Sequence, residues 1–119
     1  PAGGKTSARA IARMYAALLG EVDGVRLLPP ERVAEATAVS SSGVDEVFGM
    51  PTTWGLGYGI GGPAGDAQSA PTVFGLGGVG GSFACGDTAT GIAWAVTKNR
   101  VSDDFSTATQ LGQLIAATR

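Results

Sequence analysis

The chain has 119 residues, is 44% hydrophobic and carries a net charge of −2, a size and composition suited to one domain with a real core. Its eight basic residues are scattered, which disfavours a nucleic-acid partner, and no apolar run reaches the roughly 18 residues needed to span a membrane. Histidine is absent and Cys85 is the single cysteine, which excludes Ser-His-Asp and Cys-His catalytic sets, His-ligated metals, internal disulfides and cysteine metal clusters from within this chain.

The stretch "TSARAIARMYAALLG" predicts a helix. Ile11, Met14, Tyr15, Leu18 and Leu19 follow the spacing of one buried stripe. Thr6 or Ser7 can cap its start and Gly20 its end. A turn and a second, short helix follow in "GEVDGVRLLPPERVAEATA". Pro30 suits the first helical position, where its missing N–H would be unpaired anyway, and Glu31 favours the same end through the helix dipole. "VSSSGVDEVFGMP" reads as loop.

Next, "TTWGLGYGIGG" alternates with period two. Trp54, Leu56, Tyr58 and Ile60 would share one face, and Gly55, Gly57 and Gly59 the other. That pattern predicts a strand with one bare face, and glycines so placed suggest close approach of another element. "GGPAGDAQSAP" is a loop by composition. "TVFGLGGVG", "SFACGD" and "GIAWAVTKN" are further strands, with the turn "DTATG" before the last. In that last strand Trp94 and Val96 face opposite to Ala93 and Ala95. "SDDFSTATQLGQLIAATR" closes the chain as a helix, with Ser102 as its cap and Phe105, Ala108, Leu111, Leu114 and Ile115 as its apolar face. Lys98 and Arg100 read as solvated. The order predicts an α+β fold, an antiparallel sheet of about four strands flanked by helices.

Gly75 to Gly80 and Gly57 to Gly62 both fit G-x-G-x-x-G. Neither opens a helix, so neither can place a pyrophosphate at a helix N-terminus. Gly4-Lys5-Thr6 mimics only the end of a P-loop. The chain contains no S-x-x-K and no G-x-S-x-G, so no serine here carries the neighbours of an activated nucleophile. Cys85 sits among apolar residues without a basic partner and reads as a buried structural thiol.

Five pieces in order carry a family resemblance. "TSARAIARMYAALLG", "GVRLLPPERVAEAT", "WGLGYGIGG", "FGLGGVGGSFACGDTATGIAWAVTKNR" and the terminal helix resemble the C-terminal part of the serine β-lactamase-like hydrolases. That group includes class C β-lactamases, D-Ala-D-Ala carboxypeptidases and family VIII carboxylesterases. The resemblance covers nearly the whole chain and implies a single partial domain over 1–119 with the β-lactamase/transpeptidase-like fold. It implies that the glycine run is the strand beside the active-site serine. Leu76, Gly77 and Gly78 would then be the third catalytic motif, which is K-T-G, H-x-G or W-G-G in relatives, and the Val79 N–H an oxyanion donor. Leu76 departs from the usual Lys, His or Trp, which disfavours β-lactam hydrolysis and tolerates ester hydrolysis better.

On this resemblance the nucleophilic Ser, its Lys and the catalytic Tyr lie on sequence upstream, and no catalytic side chain lies within residues 1–119. The implied reaction is acyl transfer from a small-molecule ester or amide, with no cofactor and no metal. The strand over 91–98 would present an open edge for the upstream portion or for a second copy. Leu76 also leaves room for a non-catalytic relative that keeps the fold as a binding or scaffolding module.

Overall fold

The computed structural model describes residues 3–118. Three helices and six strands follow in the order α1 (Ala8–Leu19), α2 (Pro30–Thr37), β1 (Ser41–Val44), β2 (Pro51–Trp54), β3 (Gly59–Ile60), β4 (Val73–Gly77), β5 (Phe83–Asp87), β6 (Ala93–Val96) and α3 (Ser106–Ala117). The strands form one antiparallel meander in sequence order. The fold is α+β, with six strands where the pattern suggested about four.

Strand alternation splits the side chains between two cores. On one face Phe74 and Ala84 pack with Tyr15 and Leu18 of α1 and with Val33 of α2. On the other, Phe83 and Cys85 pack with Ala108 of α3, and Trp94, Val96 and Phe105 join them. The predicted split of β6 is therefore the observed one. α1 is capped by Ser7, whose Oγ accepts from Ala10 N at 3.2 Å, and α2 begins at Pro30. Tyr15, Tyr58 and Phe74 form an aromatic triad with ring centroids 5.2 to 6.2 Å apart, a spacing at which tilted and edge-on rings attract.

The structure corrects the sequence reading in several places. Residues 41–44, read as loop, are a strand because β2 pairs with them from Ser41↔Trp54 to Val44↔Pro51; all four are exposed, so no buried face marks them in the sequence. Residues 52–62, read as one strand, are a tight hairpin. Gly55 N donates to Tyr58 O at 2.8 Å, and Trp54 lies opposite Gly59. Gly57 takes a φ of +87° at the turn, a conformation open to glycine at little cost. Gly55 is bare because α2 approaches it: a Cβ there would collide with the Ala36 carbonyl, to which Leu56 N donates at 2.8 Å.

Ser102 does not cap the last helix. α3 starts four residues later, and Asp104 Oδ1 accepts from Ser106 N at 3.0 Å and from Ser106 Oγ at 2.7 Å. Those bonds, with Lys98 nearby, hold the Asp104 carboxyl below the usual carboxylate range. Lys98, read as solvated, is half-buried and hydrogen-bonded to Ser102. On α3 itself Ala108 is fully buried, but Leu111 and Leu114, expected on its apolar face, are exposed, as is Met14, expected on the buried stripe of α1: the neighbouring elements do not reach far enough round either helix to cover them.

Asp87 is the polar staple of the sheet. Its Oδ1 accepts from Thr72 Oγ1 at 2.7 Å and Ala89 N at 3.0 Å, and its Oδ2 from Thr90 Oγ1 at 2.7 Å. The β5–β6 turn is thereby tied to the start of β4.

Cys85 and Tyr15 are buried neutral acids. Burial, with Asp87 adding to it, pushes the Cys85 thiol up to about 12. Burial, with Tyr58 and Cys85 adding to it, does the same to the Tyr15 phenol. Both groups hold their protons more tightly folded than unfolded. Their contribution to stability is thus complete below about pH 9 and is lost as pH rises towards 12. We expect the circular-dichroism signal to fall steeply across that interval, and Tyr15→Phe to flatten its upper part. A thiol reagent at pH 8 should modify Cys85 only when denaturant unfolds the protein. Rapid modification of the native fold would contradict the burial.

Candidate functional site

β4 carries the glycine run, and its two edges differ. Thr88 N donates to Thr72 O at 3.0 Å and Gly78 N to Ser82 O at 2.9 Å, bracketing the β4–β5 ladder. In an antiparallel ladder bonded pairs alternate, so Phe74 and Leu76 exchange bonds with β5. Val73, Gly75 and Gly77 turn their backbone groups to the other side, where Gly61 N donates to Val73 O at 2.9 Å. There β3 lies opposite Phe74 and Gly75 only, because the chain turns back at Gly55–Tyr58. Beyond Gly75 the β4 edge has no strand partner among the described residues.

Leu76, Gly77 and Gly78 run along that stretch, with the backbone groups of Leu76 and Gly78 turned to β5 and those of Gly77 to the open side. Leu76 is 51% exposed, and by alternation it lies on the Phe74 face. Gly77 is bare for a different reason. On the opposite face the Phe105 ring covers it, and a Cβ there would lie 2.6 Å from that ring. The close approach that the glycine predicted is made by the protein's own Phe105. Val79 is at the tip of the loop joining β4 to β5, is 100% exposed, and its N–H donates no backbone hydrogen bond among the described residues.

A cavity of about 240 Å³ borders this edge. Met50, Trp54, Leu76, Phe83 and Phe105 contribute to its walls, and no charged residue lines it. A second cavity of about 430 Å³ lies between the 62–72 loop and α3, over Cys85 and Asp87 and away from the glycine run. No helix among the described residues is long and apolar enough to cross a membrane.

Sequence reasoning missed the segment that supports the loop. Lys98 Nζ donates to Ser102 Oγ at 2.6 Å, Lys98 N donates to Ser82 Oγ at 3.1 Å, and Ser102 N donates to Gly80 O at 3.2 Å. The residues "KNRVS" contain no spacing that signals these contacts, since they depend on the turn after β6 folding back onto the β4–β5 loop.

The antiparallel sheet with helices on its two faces is a fold that this chain shares with known proteins. Residues 1–117 match the family model described as Beta-lactamase, and the chain belongs to that family. Its sequence is 39% identical over 103 residues to the esterase/beta-lactamase LipL of Mycobacterium tuberculosis, covering 84% of this chain and 23% of that protein. Among solved structures it resembles a penicillin-binding protein homologue from Caulobacter crescentus, with a TM-score of 0.75 and 31% identity over 84% of this chain and 28% of the other. It also resembles a family VIII carboxylesterase, with a TM-score of 0.74 and 28% identity over 90% of this chain and 29% of the other. The chain spans less than a third of each of these relatives. The chain is thus a portion of a β-lactamase-like serine hydrolase fold.

Proposed function

We propose that residues 1–119 are the C-terminal part of a serine hydrolase that cleaves esters or amides through an acyl-enzyme. The nucleophilic Ser, its Lys and the catalytic Tyr lie upstream in this reading. Leu76, Gly77 and Gly78 form the third motif. Val79 supplies one backbone N–H to the oxyanion that forms when the serine adds to the substrate carbonyl. The observation that supports this best is the open side of β4 at Gly77, whose backbone groups face away from β5 and meet no strand among the described residues, followed by Val79, which is fully exposed and whose N–H donates no backbone hydrogen bond. An open strand edge offers backbone groups to an extended substrate, and fixed donors lose nothing to reorganisation as negative charge develops.

Leu76 sets the substrate class. An apolar side chain cannot pair with a substrate carboxylate, and the adjoining cavity has no charge. Short neutral esters are favoured over β-lactams. The longer protein, assayed with nitrophenyl acetate and a chromogenic cephalosporin, should show the higher kcat/KM on the ester. A clear preference for the cephalosporin would remove Leu76 from this role.

The second reading, a non-catalytic binding module, draws on the same Leu76. The upstream sequence separates the two: S-x-x-K with a following Tyr motif supports the enzyme, and their loss supports the module.

Residues 1–119 alone are inactive in this reading, and β6 bears on why. It pairs with β5 only among the described residues, so its outer edge offers unpaired backbone groups to another strand. We expect the 119-residue polypeptide to remain unlabelled by a fluorophosphonate probe. Light scattering should find it self-associated, or bound to the upstream portion when that is supplied. A stable monomer at low concentration, or stoichiometric labelling, contradicts this.

A further inference from the structure

We infer that Ser102 and Lys98 are positioning residues that hold the Val79 loop in shape. This inference rests on the reading of Val79 as an oxyanion donor. The β4–β5 loop is short and rich in glycine: Gly80 and Gly81 take φ values of +111° and +88°. Left to themselves such residues move between many conformations, and a donor on a mobile loop stabilises an oxyanion poorly.

The segment 98–104 removes that freedom by closing over the loop. Ser102 N donates to Gly80 O at 3.2 Å, forming a single antiparallel bridge. Lys98 N donates to Ser82 Oγ at 3.1 Å, so the far end of the loop is held as well. Ser102 Oγ joins the two attachments. It accepts from Lys98 Nζ at 2.6 Å and gives its own proton to Asp104 O at 3.1 Å. Gly81 fits beneath this junction with no room to spare. A Cβ there would lie 2.6 Å from Asp104 O and 2.7 Å from Ser102 Oγ. Inside the loop, Gly78 N donates to Ser82 O at 2.9 Å and Gly81 N to Gly78 O at 3.1 Å. Val79 is the residue these contacts enclose, and its side chain is fully exposed and makes no packing contribution to its own placement.

Ser102 touches neither substrate nor oxyanion in this arrangement. It acts through the backbone of Gly80, one residue from Val79. Removing its hydroxyl releases the Lys98 ammonium and loosens the bridge while leaving the two cores untouched.

The test uses the full-length protein and its ester activity. Ser102→Ala should speed deuterium uptake by the peptide spanning Gly78–Ser82 at least about fivefold, with unchanged uptake in β5. It should lower kcat about tenfold, a fraction of the loss from removing a donor outright, with KM within about twofold. Ser102→Thr keeps a hydroxyl and should restore both. Unchanged uptake in Ser102→Ala, or no rescue by Ser102→Thr, overturns the positioning role. Faster uptake with unchanged kcat overturns the oxyanion assignment of Val79 instead.

Discussion

Gly75→Ala is expected to be the most destabilising single substitution in the glycine run, costing about 3 kcal/mol or more. A Cβ at Gly75 would overlap the Ala84 carbonyl oxygen and lie 2.7 Å from Cys85 Cβ and 2.8 Å from Cys85 Cα. These neighbours belong to β5, which is buried along its whole length and cannot retreat without breaking its pairing with β4. Gly77→Ala meets the outer atoms of the Phe105 side chain, with Phe83 in ordinary contact beyond, and no backbone, and should cost about 1 to 2 kcal/mol. Gly20 has open space and an extended backbone, so Gly20→Ala should be near neutral. Urea unfolding of the three variants should rank them in that order. Equal losses, or a stable Gly75→Ala protein, would contradict the β4–β5 packing described.

Val79→Pro is expected to have the largest effect on activity. Proline has no N–H, and removing one oxyanion donor costs on the order of 100 to 1,000-fold in kcat. The φ of Val79 is not positive, so the substitution does not demand a backbone that proline cannot adopt on that account. Val79→Ala keeps the N–H and trims a side chain that is wholly exposed. The full-length protein should therefore lose most of its rate with proline and keep most of it with alanine. Equal losses in both would assign the effect to the shape of the loop, and no loss with proline would remove Val79 from the reaction.

Taken together, these expectations separate two uses of glycine that look alike in the sequence. Gly75 and Gly77 answer to neighbours inside the fold, Cys85 on one and Phe105 on the other. Gly80 and Gly81 answer to the turn and to the segment that closes over it. A run of small residues leaves backbone exposed to a ligand only where the fold places nothing else against it. Along β4 that condition is met at the edge, beyond the end of β3.

The sequence by itself determined the elements whose signals are local. The apolar stripe of α1 apart from the exposed Met14, Pro30 at the start of α2, and the alternation of Trp94 and Val96 with Ala93 and Ala95 each express a period of the backbone, and the structure has them. The order of those pieces was enough for the α+β class and for the family. Only the tertiary structure decided the rest. Trp54, Leu56, Tyr58 and Ile60 alternate as a strand would, yet they fold as a hairpin, because the Ala36 carbonyl fills the space beside Gly55 and Gly57 adopts a positive φ. β1 is a strand through its pairing with β2, a contact that exposed serines do not announce. Ser102 has the sequence of a helix cap but spends its hydroxyl and its N–H on Lys98, Asp104 and Gly80. A cap signal reads three or four residues ahead, whereas Ser102 meets a loop 22 residues behind it, and that distance is closed only when β5 and β6 have paired.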